Sequence, residues 1–488
     1  MLTPAEELGL SGLVVAARVR EAFAGIDAPA LLRLIDRLDA EASRRHLFYL
    51  RDGRDETIRI LPRPLTVLPD QLKYVHTTSL TILNALKRLP QLYEDDPDVR
   101  EVLRLPPDEE AWFRDCWDAG PRESDPVFGR LDAVVDFTSP MWKNSLHFLE
   151  PNLGGVGGIH LVPTAETIVA DVVVPALRAV DPGLDLQKGH DIRELLIQLM
   201  LDHLEAIGRP ARNIAFIEPT HASSGPNEQE ALARYFHDRY GLKTLHADPA
   251  DLRLDGGEVR VGDSPIDLAY RDYEVRDLIA LKAQGVDVAP VRALMLQNRM
   301  VSSITAEFDQ KSCWEVFTDP GLAQRHFHPS ERQVFRRHIL WTRLLADRRT
   351  TLPDGDVDDL LGFVRREREL LVLKPNRGYG GAGVAIGGIL SQSEWDDAIA
   401  AALGDPERWV VQRLASIPVA EFPVVAPDRT IRVEPFYVVM GFAATEYGLS
   451  VLARASQKQV VNVALRGGLC TLFSARPPGQ SSGDEPDL

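Results

Sequence analysis

The chain has 488 residues, and its 55 Lys and Arg against 72 Asp and Glu give a formal net charge of −17. This acidic balance argues against a protein whose main role is to bind nucleic acid or an anionic membrane surface. Three widely spaced cysteines exclude a disulfide framework and any CxxC metal cluster. Apolar runs are too short for a membrane span of ~20 residues, and the opening MLTPAEELGL lacks the pattern of a signal peptide. We therefore expect a cytoplasmic protein of about three domains.

The first ~115 residues are predicted to be mainly helical. Residues 4–50 read as two helices, and helical spacing of apolar residues also marks 79–92 and 109–118. The second helix shows the spacing most clearly, at Leu31, Leu32, Ile35 and Leu38. We assign residues 1–118 to an N-terminal helical region.

Two short runs after this region predict a β-hairpin that carries charge. Residues 130–137 alternate in polarity, and a second apolar run covers 146–149. If the hairpin is centred on Met141, Asp132 lies opposite Glu150 and Arg130 lies opposite Asn152, all on one face. Opposed carboxylates repel unless a cation lies between them, and Asp, Glu and Asn oxygens suit Mg²⁺. The alternative is a hairpin in which both acids are solvated or paired to Arg130.

A parallel α/β unit is predicted for roughly 190–300. A helix at 193–207 is followed by the strand 213–217, a turn-rich loop, a helix at 227–240 and a strand that starts at 242. Polar residues at strand ends in such a sheet are candidates for ligand binding, and here these are Glu218, His221, Ser223 and Arg271. Arg271 could hold a carboxylate bidentately. The alternative for each is a solvated loop residue or a surface ion pair.

From 330 to 370 the chain is predicted to be helical and highly charged, and strands then alternate with helices to about residue 473. The strongest local signal lies here. An apolar run ends at Lys374, and four glycines follow within nine residues, at Gly378, Gly380, Gly381 and Gly383. Glycines let backbone N–H groups approach phosphate oxygens, and a strand-end lysine adds a positive charge. The alternative is a flexible hairpin turn beside a surface lysine.

Further polar positions follow on predicted strands. The run 409–414 is apolar and ends in Gln412, Arg413 and Leu414, and Glu421 comes soon after it. Arg454 lies on a later strand, before Asn462 and a Gly-Gly pair at 467–468. Each of these residues alone would be unremarkable on a solvated strand, but their order is distinctive.

The set Arg130-x-Asp132, Glu150-x-Asn152-x-Gly, the lysine–glycine loop and the Arg…Asn…Gly-Gly segment resembles the ATP-grasp ligases. In those proteins the metal-binding hairpin usually comes last, whereas here it comes first. The order resembles the circularly permuted ATP-grasp proteins, which include glutathionylspermidine synthetase-like enzymes. The resemblance covers roughly residues 120–475.

The resemblance implies an α/β (α+β) fold, a circularly permuted ATP-grasp with a Rossmann-like pre-grasp domain and an N-terminal helical region. It implies these divisions: a metal-binding hairpin half at 119–185, the Rossmann-like domain at 186–300 and the nucleotide-binding part at 301–475. The tail at 476–488 is acidic and rich in Pro, Gly and Ser, and this composition predicts disorder.

The resemblance also implies roles for single residues. The metal ligands would be Asp132, Glu150 and Asn152, and the catalytic residues would be Arg130, Arg454 and Asn462. The nucleotide would be bound by Lys311, Lys374, Gly378, Tyr379, Gly380, Gly381, Gly383, Gln412, Arg413, Leu414 and Glu421. Substrate contacts are expected from Arg271, Glu218 and Ser223.

The activity implied is ATP-dependent ligation of a carboxylate to an amine through an acyl phosphate, with ATP and Mg²⁺ as cofactors. The expected partners are a small-molecule or peptide carboxylate and an amine, with no nucleic acid and no membrane, and a homodimer stays open. Two other classes also stay open: a phosphotransferase that uses the same nucleotide site, and a catalytically silent nucleotide-binding scaffold.

Overall fold

The computed structural model describes residues 2–117, 124–209, 212–219, 225–226, 228–378, 380–461 and 467–477, and the fold mixes helices and sheets. The helices are α1 Pro4–Ala24, α2 Ala28–Arg44, α3 Pro69–Leu86, α4 Leu89–Asp95, α5 Pro97–Val102, α6 Pro107–Trp117, α7 Trp142–Ser145, α8 Leu161–Val172, α9 Val174–Val180, α10 Ile192–Ala206, α11 Gln229–Tyr240, α12 Val275–Ala283, α13 Ala289–Leu296, α14 Cys313–Thr318, α15 Pro320–His326, α16 Pro329–His338, α17 Leu360–Arg366 and α18 Gln392–Gly404.

The strands build several separate sheets. They are β1 Phe48–Arg51, β2 Arg54–Thr57, β3 Leu65–Val67, β4 Arg130–Val134, β5 His147–Asn152, β6 Leu186–Gln187, β7 Asn213–Ile217, β8 Gly225–Pro226, β9 Lys243–Ala247, β10 Leu252–Asp255, β11 Glu258–Val261, β12 Ser264–Pro265, β13 Leu268–Arg271, β14 Met300–Val301, β15 Thr342–Leu344, β16 Arg349–Thr351, β17 Val357–Asp359, β18 Leu371–Pro375, β19 Ala385–Ile386, β20 Trp409–Arg413, β21 Val419–Val425, β22 Ile431–Thr445, β23 Gly448–Ser456, β24 Gly468–Cys470 and β25 Leu472–Ala475.

The N-terminal region is mainly helical, as its spacing predicts, and its helix starts are capped. Thr3 and Glu6 form a capping box at α1, and the Asp27 carboxylate accepts from the Ala30 N–H at α2. The region also contains β1, β2 and β3, which the sequence analysis missed. These strands are only three or four residues long, too short to show a period.

A parallel sheet of four strands follows, in the order β14-β13-β7-β9. β7 is buried at every position, as expected for a strand covered on both faces. Phe216 of β7 stacks on Phe236 of α11 with ring centroids 5.5 Å apart. Gly241 ends α11 with a positive φ of 65°, as its position after the helix predicts.

The sheet that carries most of the predicted polar residues has the order β24-β23-β22-β4-β5, with β21 also paired to β22. Every pairing in it is antiparallel, and β4 pairs with β22 along residues 440–443. The predicted hairpin therefore lies in one sheet with strands from the far end of the chain. A second antiparallel sheet, β15-β20-β18-β19, carries the lysine–glycine loop.

The prediction of a helical segment from 330 to 370 is only partly correct. α16 and α17 are present, but β15, β16 and β17 lie between them. β16 and β17 form an antiparallel pair rich in charged residues on the protein surface. Charge is typical of an exposed helix as well as of an exposed hairpin, so composition did not distinguish them. In the described residues, none of the helices has both the length and the apolar character needed to cross a membrane.

Candidate active site

The hairpin register is the one that the sequence predicts for its first half. Arg130 pairs with Asn152, and Asp132 pairs with Glu150. The register then shifts at a bulge between Asp132 and Ala133. The bulge lies beyond the charged residues, so it leaves their common face intact.

Asp132 lies between two arginines that come from opposite ends of the chain. Its Oδ1 accepts from Nε of Arg130 at 2.8 Å, and its Oδ2 accepts from Nη2 of Arg454 at 2.5 Å. All three side chains are buried. Burial alone would raise the pKa of Asp132, but the two guanidinium groups outweigh it and lower the pKa to about 2. Both oxygens are thus engaged by cations of the protein itself. The alternative interpretation named the pairing with Arg130 but not the pairing with Arg454.

A glycine on the neighbouring strand makes room for this ion pair. Gly441 of β22 lies opposite Asp132 in the sheet. A Cβ built there would lie 2.6 Å from Cδ of Arg130 and 2.8 Å from Oδ1 of Asp132. The sequence analysis did not single out Gly441, although a lone glycine inside a predicted strand often marks such a close approach.

Lys374 lies at the end of β18, where its half-buried ammonium donates to Oε1 of Gln412 at 2.8 Å. Burial lowers the pKa of Lys374 to about 8; the Glu150 carboxylate opposes this effect and Lys311 adds to it. Its neighbour Gln412 is almost fully buried and holds the lysine by a neutral hydrogen bond. Lys374 is therefore not the surface lysine of the alternative interpretation.

Lys311 is brought to the same place by a contact between two loops. Its N–H donates to the Asn376 carbonyl at 3.0 Å, and Oδ1 of Asn376 accepts from the Ser312 N–H at 2.8 Å. Its ammonium donates to the Gly378 carbonyl at 2.6 Å and lies 3.3 Å from a Glu150 oxygen. Lys311 is buried, with 7% of its surface exposed.

The glycine loop between β18 and β19 depends on glycine at three positions. Gly380, Gly381 and Gly383 have positive φ values of 71°, 76° and 74°, which side chains with a Cβ rarely adopt. The loop closes an antiparallel hairpin, because Leu373 pairs with Ala385. The hairpin of the alternative interpretation is thus present, and it lies over a cleft.

One cleft collects residues from all these segments. Residues of the predicted nucleotide-binding part at 301–475 and residues of the β4–β5 hairpin contribute to it. From the predicted set its lining includes Asp132, Glu150, Lys311, Lys374, Gly378, Gly381, Gln412, Leu414 and Arg454. Asn152 lies beside it, in a small adjoining pocket that Glu150, Lys311 and Arg377 share.

Some predicted residues lie elsewhere. The Arg413 and Glu421 side chains are exposed and do not line the cleft, and Gly380 and Gly383 shape the loop without lining it. Arg130 lies beneath the cleft, behind Asp132. Tyr379, Asn462, His221 and Ser223 lie outside the described residues, as does most of the predicted tail.

Arg271 is not a free substrate-binding residue, which corrects the prediction from its strand-end position. Its guanidinium is fully buried and lies 2.5 Å from a Glu307 oxygen. It also donates to the carbonyls of Ser302, Ser303 and Tyr273. Position in a sheet predicts where a side chain begins, but its partners depend on distant segments.

Glu218 remains half-buried at the end of β7, where it accepts from His246 at 2.7 Å and raises the pKa of that imidazole.

Two carboxylates that the sequence analysis missed hold the glycine-rich segment after the hairpin. Oδ2 of Asp309 accepts from the N–H groups of Leu153 and Gly154 at 2.8 and 3.2 Å. Glu228 accepts from Gly158, His160 and Leu161 at the start of α8. Asp309 lies two residues before Lys311, but neither acid carries a spacing signal that could have identified it.

The oxygen donors present fit a hard cation at Glu150 and Asn152. The Glu150 carboxylate lies 3.3 Å from the Lys311 ammonium, and the Asn152 nitrogen donates to the Arg130 carbonyl at 3.4 Å, which leaves the Asn152 Oδ1 for a ligand among the described residues. Asp132 fits less well, because both its oxygens already accept from arginines. No cluster of three or more His, Cys, Asp or Glu side chains suited to a metal occurs in the part of the chain that the structure describes.

Residues of the two antiparallel sheets line the cleft that lies between them. A glutathione synthetase-like effector (GSS30) from Globodera pallida has a similar structure, with a TM-score of 0.59, 10% sequence identity, and 92% of this chain and 98% of that chain covered. At this identity the likeness shows the fold alone. No family model and no curated protein sequence matches the chain.

Two further structures overlap with about half of the chain. One is D-alanyl-alanine synthetase A from Vibrio cholerae, with a TM-score of 0.26, 10% sequence identity, and 49% of this chain and 85% of that chain covered. The other is a RimK domain ATP-grasp protein from Sphaerobacter thermophilus, with a TM-score of 0.24, 15% sequence identity, and 49% of this chain and 89% of that chain covered. These TM-scores are too low to support any argument.

Substitution of Gly441 by alanine should disturb the buried ion pair. The new methyl group must displace Arg130 or Asp132, and we expect a loss of about 1–3 kcal/mol in the free energy of unfolding. Urea denaturation measures it. Gly404→Ala is the control, because a Cβ there meets nothing within 4 Å. Equal stability of the two variants would contradict the close approach.

Removal of Arg271 tests its corrected role. Arg271→Met leaves the Glu307 carboxylate buried without its cation, and should cost about 3–5 kcal/mol of stability. Adding Glu307→Gln to the same chain should recover part of that loss, because the neutral amide is cheaper to bury. If Arg271 served only a substrate, the single variant would unfold at the parent's denaturant midpoint.

Proposed function

We propose that the chain is an ATP-dependent carboxylate–amine ligase of the circularly permuted ATP-grasp type. The observation that carries the proposal is the single cleft that gathers Glu150 from the early hairpin, Lys311 and Lys374 from the middle of the chain and Arg454 from its end. These residues are the ones that the resemblance assigns to nucleotide and metal. Their convergence from separate segments supports a common role.

The charges around the cleft suit a polyphosphate. Lys311 and Lys374 carry two positive charges, Glu150 carries one negative charge beside Lys311, and the buried group of Arg130, Asp132 and Arg454 has one more positive than negative charge. Arg454 lines the cleft, and its buried Nε has no hydrogen-bond partner among the residues that the structure describes. Buried polar atoms are rarely left unpaired, so an anionic ligand oxygen would complete this arginine.

Glu150 and Asn152 would hold Mg²⁺ in this proposal. The ion would supply positive charge that neutralises the phosphate oxygens during transfer. Asp132 keeps its two arginines and orients Arg454 rather than binding metal itself. This assignment differs from the three-ligand set that the resemblance implies.

The proposed reaction has two steps. A substrate carboxylate oxygen attacks the γ-phosphorus of ATP, and ADP leaves. The amine nitrogen then attacks the acyl carbon, loses a proton, and expels phosphate. Arg454 would stabilise the oxyanion that forms at the acyl carbon. The loop at 378–383 would cover the cleft and keep water from the acyl phosphate.

A screen for coupled products tests the proposal. The protein is incubated with ATP, Mg²⁺ and pools of amino acids, small peptides and polyamines, and ADP release and new amide masses are recorded. An amide that forms only with all components present supports the ligase. A phosphorylated product without an amide would assign the chain as a phosphotransferase. Nucleotide binding without any product would favour a silent scaffold.

Glu150→Gln should separate binding from turnover. The amide removes the charge that would attract Mg²⁺, and we expect turnover to fall by about 10²-fold while the fold is kept. Nucleotide affinity without metal should not fall, because Glu150 repels phosphate. Glu369→Gln is the control, since that side chain is 77% exposed. Full activity of Glu150→Gln would rule out the metal assignment.

Nucleotide affinity should fall as the pH rises through about 8. Below that pH Lys374 is charged and attracts phosphate; above it the free protein must first take up a proton, at a cost of up to about tenfold per pH unit. Titration of ADP binding between pH 7 and 9.5 measures the effect. Lys374→Arg stays charged throughout this range and should give a flat profile. A flat profile in the parent would contradict the role of Lys374.

A further inference from the structure

The Gln412 side chain links three elements around the cleft. It lies on β20 with 1% of its surface exposed. Its Oε1 accepts from Lys374 of β18, and its Nε2 donates to Oγ1 of Thr342 on β15 at 2.9 Å. The same Nε2 also donates to the Leu149 carbonyl on β5 at 3.3 Å. That last bond crosses from the nucleotide sheet to the hairpin strand, one residue before Glu150.

The orientation of this amide is determined by its partners. An ammonium group can only donate, so the Gln412 oxygen must face Lys374. Its nitrogen then faces the Leu149 carbonyl, which can only accept. The Thr342 hydroxyl donates to the Leu340 carbonyl and can accept from Gln412. All of these bonds are satisfied by one arrangement and would fail in the flipped one.

The Lys374 ammonium could pair with a carboxylate instead of with Gln412. Its long stem is flexible, and the Glu150 and Asp132 carboxylates both attract its charge. If Lys374 paired with Glu150, the lysine charge would be neutralised and a candidate metal ligand would be covered. Lys311 already lies 3.3 Å from Glu150. A neutral group that holds the Lys374 ammonium away from Glu150 would therefore preserve the lysine charge.

We infer that Gln412 is a positioning residue that holds Lys374 for the nucleotide and ties it to the strand of Glu150. Because the amide is neutral, it fixes the ammonium and leaves its full charge for phosphate. A glutamate at this position would hold the lysine equally well and cancel that charge. The catalytic meaning of this arrangement rests on the proposed function, but the arrangement itself can be tested without it.

A double-mutant cycle tests whether Gln412 acts through Lys374. Gln412→Met keeps the volume and removes the hydrogen bonds, and should weaken ADP binding about tenfold. In a Lys374→Met chain the same change should alter the affinity less than twofold. A role limited to packing would give equal factors in both backgrounds and would overturn the inference. Thermal unfolding of all four chains checks that they fold.

Gln412→Glu separates holding from charge, and also serves if Gln412→Met does not fold. The carboxylate can still accept from Lys374, but it neutralises the ammonium and cannot donate to Leu149. We expect weaker ADP binding than in the parent, mainly because the new carboxylate cancels the Lys374 charge that attracts phosphate. Binding as tight as the parent's would contradict the requirement for a neutral partner. Thr342→Val is the matched control, because it removes one contact of Gln412 and none of Lys374.

Chemical labelling gives a readout that needs no nucleotide. Acetic anhydride acetylates free amines, and mass spectrometry follows Lys374 with Lys311 as the internal reference. Lys374 should react several-fold faster in Gln412→Met, at the parental rate in Thr342→Val, and more slowly than in the parent in Gln412→Glu, because the carboxylate favours the protonated ammonium. An unchanged rate in Gln412→Met would overturn the inference. If the parent binds no nucleotide, the proposed function fails, whereas the labelling result still decides the role of Gln412.

Discussion

The Asp132 carboxylate, held between Arg130 and Arg454, is the interaction on which the candidate site depends. It joins positions that are 322 residues apart in sequence. Buried charges are tolerated only when paired, and removal of one partner leaves the others uncompensated. The pairing therefore requires β4, β22 and β23 to lie side by side in one sheet. Its uneven charge, two cations to one anion, leaves a net charge of +1 beside the cleft.

The remaining parts of the cleft are positioned by Asn376, Asp309 and Glu228, which accept hydrogen bonds from backbone N–H groups. Asn376 joins the Lys311 loop to the end of β18 by backbone and side-chain hydrogen bonds. Asp309 and Glu228 hold the glycine-rich segment after β5 through its N–H groups. Such contacts fix the backbone of the segments around the cleft.

Local patterns predicted the elements well, and they predicted the hairpin register of Arg130 and Asp132, because alternation and turn residues act over a few positions. The parallel strands from 213 to 271 were predictable for the same reason. The pairing of β4 with β22 joins segments that are far apart in the chain, so no local pattern could predict it. The partners of Arg271 were not predictable, because Glu307 lies 36 residues away with no pattern to connect them. Short strands such as β15 were missed because three residues show no period.

The position of the hairpin early in the chain has a consequence for synthesis. β4 and β5 leave the ribosome long before β22 exists to pair with them. At ~5–20 residues per second, the 322 residues between Asp132 and Arg454 take on the order of 15 to 60 s to translate. During that time the β4 edge exposes unpaired backbone groups, and the Asp132 carboxylate has only Arg130 beside it. Completion of the central sheet must therefore be a late event, and the nascent chain carries an open strand edge that is prone to intermolecular pairing until its last strands emerge.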